Sequence, residues 1–242
     1  LGLKVVTGAG DILEFNHGLI KNNTGYDFRH LFIGSEGTLG VICEATIQLT
    51  KPPEESVVLM LGVDTFHAIL NVLKIFNSQI NLMAFEFFSQ FALDKVVEHQ
   101  GHSAPFDTRT PFYALIEFET KSGQILDTAM ELFEYCIEQG WVIEGIASQS
   151  ESQAKKLWEL REDISETLWH YQPYKNDISV RVSRMPDFLK EIDDLIEQYY
   201  LNFEVVWYGH IGDGNLHLNI LKPNELSTED FTEKCKDVSD KI

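Results

Sequence analysis

Apolar residues fall along this chain in two rhythms. "SVVLMLGV", "LMAFEFF", "PFYALIEFE" and "WVIEGIAS" are runs of strand length, and between them apolar positions recur every three or four residues. Short apolar runs bounded by turn signals read as buried strands, whereas the three-to-four repeat reads as amphipathic helix. The pattern predicts those strands alternating with helices over 65–77, 89–98 and 122–139. A long helix over 150–169, a strand "DISVRV" and a helix over 186–200 with Pro186 in its first turn follow, before a closing hairpin. Upstream, "LKVVTGAG", "DILEF" and "GVICEATIQL" predict strands, and Lys51-Pro52-Pro53 breaks the pattern. The expected organisation is therefore a small unit over 1–52 and a larger one over 53–242. The larger is an α+β unit, a mixed sheet with packed helices resembling ferredoxin-like arrangements.

The closing stretch "WYGHIGDGNLHLNI" holds two histidines seven apart around a Gly-Asp-Gly-Asn turn. Asp-Gly between alternating residues is a strong two-residue hairpin signal. Centred on Asp213-Gly214, that turn pairs Gly212 with Asn215, Ile211 with Leu216 and His210 with His217. Directly opposed residues have Cβ atoms about 4.5–5.5 Å apart, close enough for both rings to reach one ion at about 2.0–2.1 Å. Tyr208 and Asn219 then share the histidine face, while Trp207, Gly209, Leu218 and Ile220 share the other. The same letters would also serve a hairpin whose histidines simply face water.

Three further constellations stand out. Gly34, Gly37 and Gly40 recur every three residues and lead into a strand pattern rather than a helix. Phosphate-binding glycine loops lead into helices, so this loop suits either backbone pressed against something flat or tight turns that need positive φ. In "KKLWELREDISETLWH", Leu157, Leu160, Ile164 and Leu168 mark the buried face, with Arg161 and Ser165 together on one flank. Arg161 could clamp a carboxylate through two parallel hydrogen bonds, or pair with Glu162 and solvent as helix arginines commonly do. In "YKNDISVRV", alternation places Lys175, Asp177, Ser179 and Arg181 on one face and Ile178, Val180 and Val182 on the other. That polar face is either a patch for an anionic substrate or an ordinary solvated strand face.

Composition narrows the partners. The chain has 242 residues, 44% hydrophobic and 12% aromatic, enough to fill a core. Lys and Arg number 19 against 38 Asp and Glu, a net charge of −19, which repels nucleic-acid phosphates and anionic membranes. No apolar run reaches membrane-spanning length. Cys43, Cys136 and Cys235 lack metal-binding spacing and suit a reducing cytosol or plain core filling. Leu1 begins in strand-like sequence and Ile242 ends in helix-like sequence, as expected of a piece of a longer protein.

Taken together, "NNTGYDFRHLFIGSEGTLGVICEA", "WELREDIS", "YKNDISV" and "GHIGDGNLHLN" resemble the flavin-dependent D-2-hydroxyacid dehydrogenases of the vanillyl-alcohol-oxidase type, which act on D-2-hydroxyglutarate, D-lactate or glycolate. The resemblance spans nearly the whole chain. It implies that residues 1–52 are the C-terminal part of an FAD-binding domain, with Glu36, Gly37, Gly40 and Val41 at the cofactor. It implies that 53–242 form the substrate-binding domain, with Arg161, Ser165, Lys175 and Asn219 around the substrate carboxylates. Ser165 stands where such proteins often carry Thr. His210 and His217 would hold a divalent metal, for which zinc suits the donors best and manganese and iron are alternatives. The family's pyrophosphate loop would lie before Leu1. Its Glu-His-Gly motif, supplying a third metal ligand and the base histidine, would lie beyond Ile242. The expected reaction is oxidation of a D-2-hydroxy acid, with D-2-hydroxyglutarate favoured because Arg161 and Lys175 suit a dicarboxylate. D-lactate or glycolate oxidation and a non-catalytic ferredoxin-like module are the alternatives. The partners to expect are the hydroxy acid, an electron acceptor and a second copy in a homodimer, in the cytoplasm or, for a eukaryotic parent, the mitochondrial matrix.

Overall fold

The computed structural model describes residues 1–53, 55–120, 123–199 and 203–242. Residue 122, the expected start of one helix, and residue 200, the expected end of another, lie outside the described residues. The chain divides into two compact units, Leu1–Pro52 and Pro53–Ile242.

The first unit holds β1 (Gly2–Thr7), β2 (Ile12–Phe15), the single helical turn α1 (Arg29–Phe32) and β3 (Gly40–Thr46). Its three strands are antiparallel in the order β2-β1-β3. Gly40 lets β3 lie close on β1, since a Cβ there would stand 2.8 Å from the Val6 carbonyl oxygen. The turn α1 has no counterpart in the sequence pattern, being too short to show a helical repeat.

The second unit runs β4 (Ser56–Val63), α2 (Phe66–Gln79), β5 (Leu82–Ser89), α3 (Gln90–Gln100), β6 (Phe112–Glu119), α4 (Gly123–Glu138) and β7 (Val142–Ala147). It continues with α5 (Glu151–Leu168), β8 (Tyr174–Ser179), α6 (Met185–Tyr199), β9 (Val205–His210), β10 (Asn215–Ile220) and α7 (Thr228–Ser239). Four helices begin where a hydroxyl can accept an orphan backbone N–H: Thr65 from Ala68, Ser89 from Ala92, Ser150 from Gln153 and Ser227 from Asp230. All seven strands form one antiparallel sheet in the order β7-β4-β6-β5-β9-β10-β8. Its first four strands have the α+β, ferredoxin-like arrangement expected from the pattern, extended by three more.

Both faces of this sheet are covered, which explains why its central strands read as unbroken apolar runs. On one side Leu59, Leu61, Phe85 and Phe87 pack against α2, α4 and the start of α6. On the other, Val58, Met60, Phe88 and Tyr208 pack against α3 and α5, where Leu157, Leu160, Ile164 and Leu168 make the predicted helix face. Burying such side chains stabilises the fold by about 1.5–3 kcal/mol each. A third cluster places Phe231, Cys235 and Val238 of α7 beside Ile220.

One element is shorter than the letters imply. β8 stops at Ser179, and residues Val182–Arg184 form a 3-10 turn leading into α6. Arg181 therefore does not continue the polar strand face. Val180 is tied to the hairpin instead, its N–H donating to the Gly214 carbonyl at 2.9 Å.

Candidate functional site

The candidate site lies where apolar packing beneath α5 gives way to β5, β9, β10 and β8. The hairpin has a different register from the one its turn predicts. His210 opposes Asn215 and His217 opposes Tyr208, because the connection runs over four residues, 211–214, rather than two. Ile211 is fully buried in the main core, and this burial outweighs the preference of Asp213-Gly214 for a tight turn. Gly214, at φ +88, passes so close to the Val180 carbonyl that a Cβ would run into it. The shift is two residues, so each side chain keeps its face. His210 and His217 remain together as diagonal neighbours, ring centroids 5.4 Å apart and nearly perpendicular.

The alternative of a hairpin face turned to water does not describe most of this face: Val206, Tyr208 and Asn219 are buried on it while the His210 side chain stays 50% exposed, and Trp207 and Leu216 fill the opposite core. Asn219 is 1% exposed, and its Oδ1 has no hydrogen-bond partner among the described residues. Cross-strand pairing sets His217 beside Asp177 and Asn219 beside Lys175. His217 Nδ1 lies 3.3 Å from Asp177 Oδ1, and the His217 ring sits 4.8 Å from Tyr208. Burial pushes His217 below the usual imidazole range; Asp177 pulls it upward and Arg161 adds to the fall.

Arg161 reaches this face from α5 and pairs with the carboxylate of Glu86 rather than with Glu162 or solvent. It is 6% exposed, its guanidinium stacks on Tyr208 at 4.8 Å, and its Nη2 lies 2.9 Å from Glu86 Oε2. Burial lowers the Arg161 pKa, with the Glu86 charge opposing. The ion pair is close without an aligned hydrogen bond, leaving Arg161 Nε and Nη2 and Glu86 Oε2 without hydrogen-bond partners among the described residues. Ser165 accepts a hydrogen bond of 3.3 Å from the exposed Lys175, whose Nζ lies 4.4 Å over the Trp169 ring. The structure thus brings together Arg161, Ser165, Lys175, Asn219, His210 and His217.

Glu86 is the member that sequence reasoning missed. It stands in β5 inside "AFEFF", 6% exposed, and its Oε1 is 2.8 Å from His210 Nδ1. A lone carboxylate within an apolar strand was the available signal, since such a group is almost never buried unpaired. It also lines a cleft of about 310 Å³ with His210, Gly212 and Asp213.

In the first unit, Gly34 (φ +83) and Gly37 (φ +78) have no neighbour within reach of a Cβ, as turn glycines do. Glu36 between them is also left-handed, at φ +49. Gly40 is buried against β1, and Val41 is 64% exposed.

The family described as FAD linked oxidases, C-terminal domain, matches residues 52–242. The chain belongs to this family. The D-2-hydroxyglutarate dehydrogenase of Stutzerimonas stutzeri (strain A1501) is 55% identical over 238 residues, covering 98% of this chain and 51% of that protein. Another, from Xanthomonas citri pv. viticola, is 52% identical over 98% of this chain and 50% of that protein. The chain spans about half the length of these curated relatives. Among solved structures, an alkyldihydroxyacetonephosphate synthase superposes with a TM-score of 0.62 at 16% identity, over 99% of this chain and 47% of that one. A p-cresol methylhydroxylase also gives 0.62, at 11% identity, over 98% and 53%. These structures share the fold.

For this FAD-linked oxidase domain, the fit of a divalent ion can be judged from its own donors. Both imidazoles have Nδ1 beside a carboxylate, Glu86 or Asp177, and among the described residues neither Nε2 is hydrogen-bonded. A carboxylate on one nitrogen and a cation on the other is the usual arrangement of a metal-bound histidine. The pair fits as half of a tetrahedral donor set; no group of three or more His, Cys, Asp and Glu disposed around one ion occurs among the described residues.

Proposed function

We propose that the chain supplies the substrate-binding half of an FAD-dependent dehydrogenase that oxidises a D-2-hydroxy acid, foremost D-2-hydroxyglutarate, to the 2-oxo acid. The single observation that carries this is the convergence of two cations at different depths, buried Arg161 and exposed Lys175, beside two imidazoles on one sheet face. The names of the relatives support the same substrate.

In this reading Arg161 turns its undonated N–H groups to the carboxylate next to the reacting carbon. Lys175, freed from Ser165, reads the far carboxylate. Asn219 offers its unpartnered Oδ1 as an acceptor. Tyr208 and α5 exclude water behind the substrate, strengthening each charge contact in the drier site. His210 and His217 would hold a divalent ion, zinc by its donor preference, and Glu36, Gly37, Gly40 and Val41 would line part of the flavin surface. When bound, FAD supplies a two-electron hydride acceptor, and the ion supplies Lewis acidity at the substrate hydroxyl.

The test is kcat/KM of a flavoprotein carrying this chain, measured on D-2-hydroxyglutarate, D-malate and D-lactate. Arg161→Lys should lower it on all three, by roughly 2–5 kcal/mol of transition-state stabilisation. Lys175→Met should lower it on the two dicarboxylates and spare D-lactate. Wild-type efficiency in Arg161→Lys would remove the basis of the substrate assignment.

A further inference from the structure

We infer that Glu86 is a positioning residue: it sets which nitrogen of His210 carries the proton, and so leaves Nε2 as the nitrogen offered to a cation. The inference deepens the proposed function and rests on it for the identity of that cation. Glu86 Oε1 lies 2.8 Å from His210 Nδ1. A carboxylate only accepts hydrogen bonds, so in a neutral imidazole the proton resides on Nδ1 and the lone pair on Nε2. The carboxylate has little water to turn to, being 6% exposed in the middle of β5. Nor can it be left alone there, because a buried carboxylate needs a compensating charge. Arg161 provides it at 2.9 Å, itself 6% exposed and held over Tyr208.

One carboxylate thereby joins the two halves of the site. Both of its oxygens lie 2.8 Å from His210 Nδ1, and Oε2 also faces the guanidinium assigned to the substrate at 2.9 Å. His217 has a weaker counterpart in Asp177, which is 3.3 Å away with its side chain 71% exposed. The two rings should therefore respond differently when their carboxylates are removed.

The experiment is long-range 1H–15N correlation of histidine side chains in the metal-free 242-residue chain, which distinguishes the two tautomers, together with calorimetric titration of Zn2+. In the wild type, His210 is expected as the Nδ1–H tautomer. In Glu86→Leu, which leaves no acceptor at this position, the Nε2–H tautomer should appear at His210 while His217 is unchanged, and zinc affinity should fall about 10–100-fold. An Nε2–H tautomer in the wild type, or an unchanged His210 in Glu86→Leu, would overturn the inference. The wild-type spectrum decides even if the variant fails to fold. If the wild type binds no zinc but its tautomer follows Glu86, the inference stands and the metal part of the proposed function falls.

Discussion

The two units use apolar residues in opposite ways. In Pro53–Ile242 the central strands bury nearly every side chain on both faces. In Leu1–Pro52 the buried hydrophobic residues are Val5 and Phe32, whereas Ile20, Tyr26, Ile47 and Leu49 are each more than 70% exposed. Of the eighteen large hydrophobic residues found exposed among those described, twelve belong to this smaller unit. The larger unit closes its own core and can hold a charged pair rigidly within it. The smaller has strand geometry and turns but little interior.

The comparison breaks most readily in the core. Phe87, fully buried under α2, should cost about 3–5 kcal/mol when replaced by alanine, read from urea unfolding of the larger unit. A loss below 1 kcal/mol would mean that this core is less well packed than its geometry indicates. Arg161→Met should cost about 3 kcal/mol, because Glu86 would remain buried without its counter-charge. The double change Glu86→Leu with Arg161→Met should recover most of that stability, which would separate what the pair does for folding from what it does for binding. Ile42→Ala in the smaller unit, where Ile42 is 40% exposed, should change stability by no more than about 0.5 kcal/mol. Its β1–β3 amides should also exchange with solvent through openings of lower free energy than those of β4 and β6. The gentlest probe is thiol labelling: exposed Cys43 should react in the native chain. Cys136, buried and with its thiol pushed up to about 11 by that burial, should react only on unfolding.

Much of the larger unit was legible because its information is local. The runs around Met60 and Leu115 and the spacing of Leu157, Leu160, Ile164 and Leu168 each specify an element within a few residues. The site was legible in membership more than in geometry. His210, His217 and Asn219 share a face by the strand period alone, whatever the register. The register itself depended on Ile211, whose burial is decided by a core assembled from distant elements. Glu86 was visible only as an oddity in an apolar run, since its partners Arg161 and His210 come from α5 and β9. Arg181 continued the alternation in letters, but the backbone had already turned toward α6.

The position of β8 has a consequence for solution behaviour. It is the last strand of the sheet, and such strands offer unpaired backbone groups to any other chain that can dock there. Lys175 and Asp177 place opposite charges along this edge, with Ser179 beyond them. Charged edge residues, lysine above all, discourage the addition of a further strand. The lysine proposed to read a substrate carboxylate thus also guards against self-association. Lys175→Met should therefore lower the concentration at which the chain begins to aggregate, measurable by light scattering without any substrate, while Lys175→Arg should leave it unchanged.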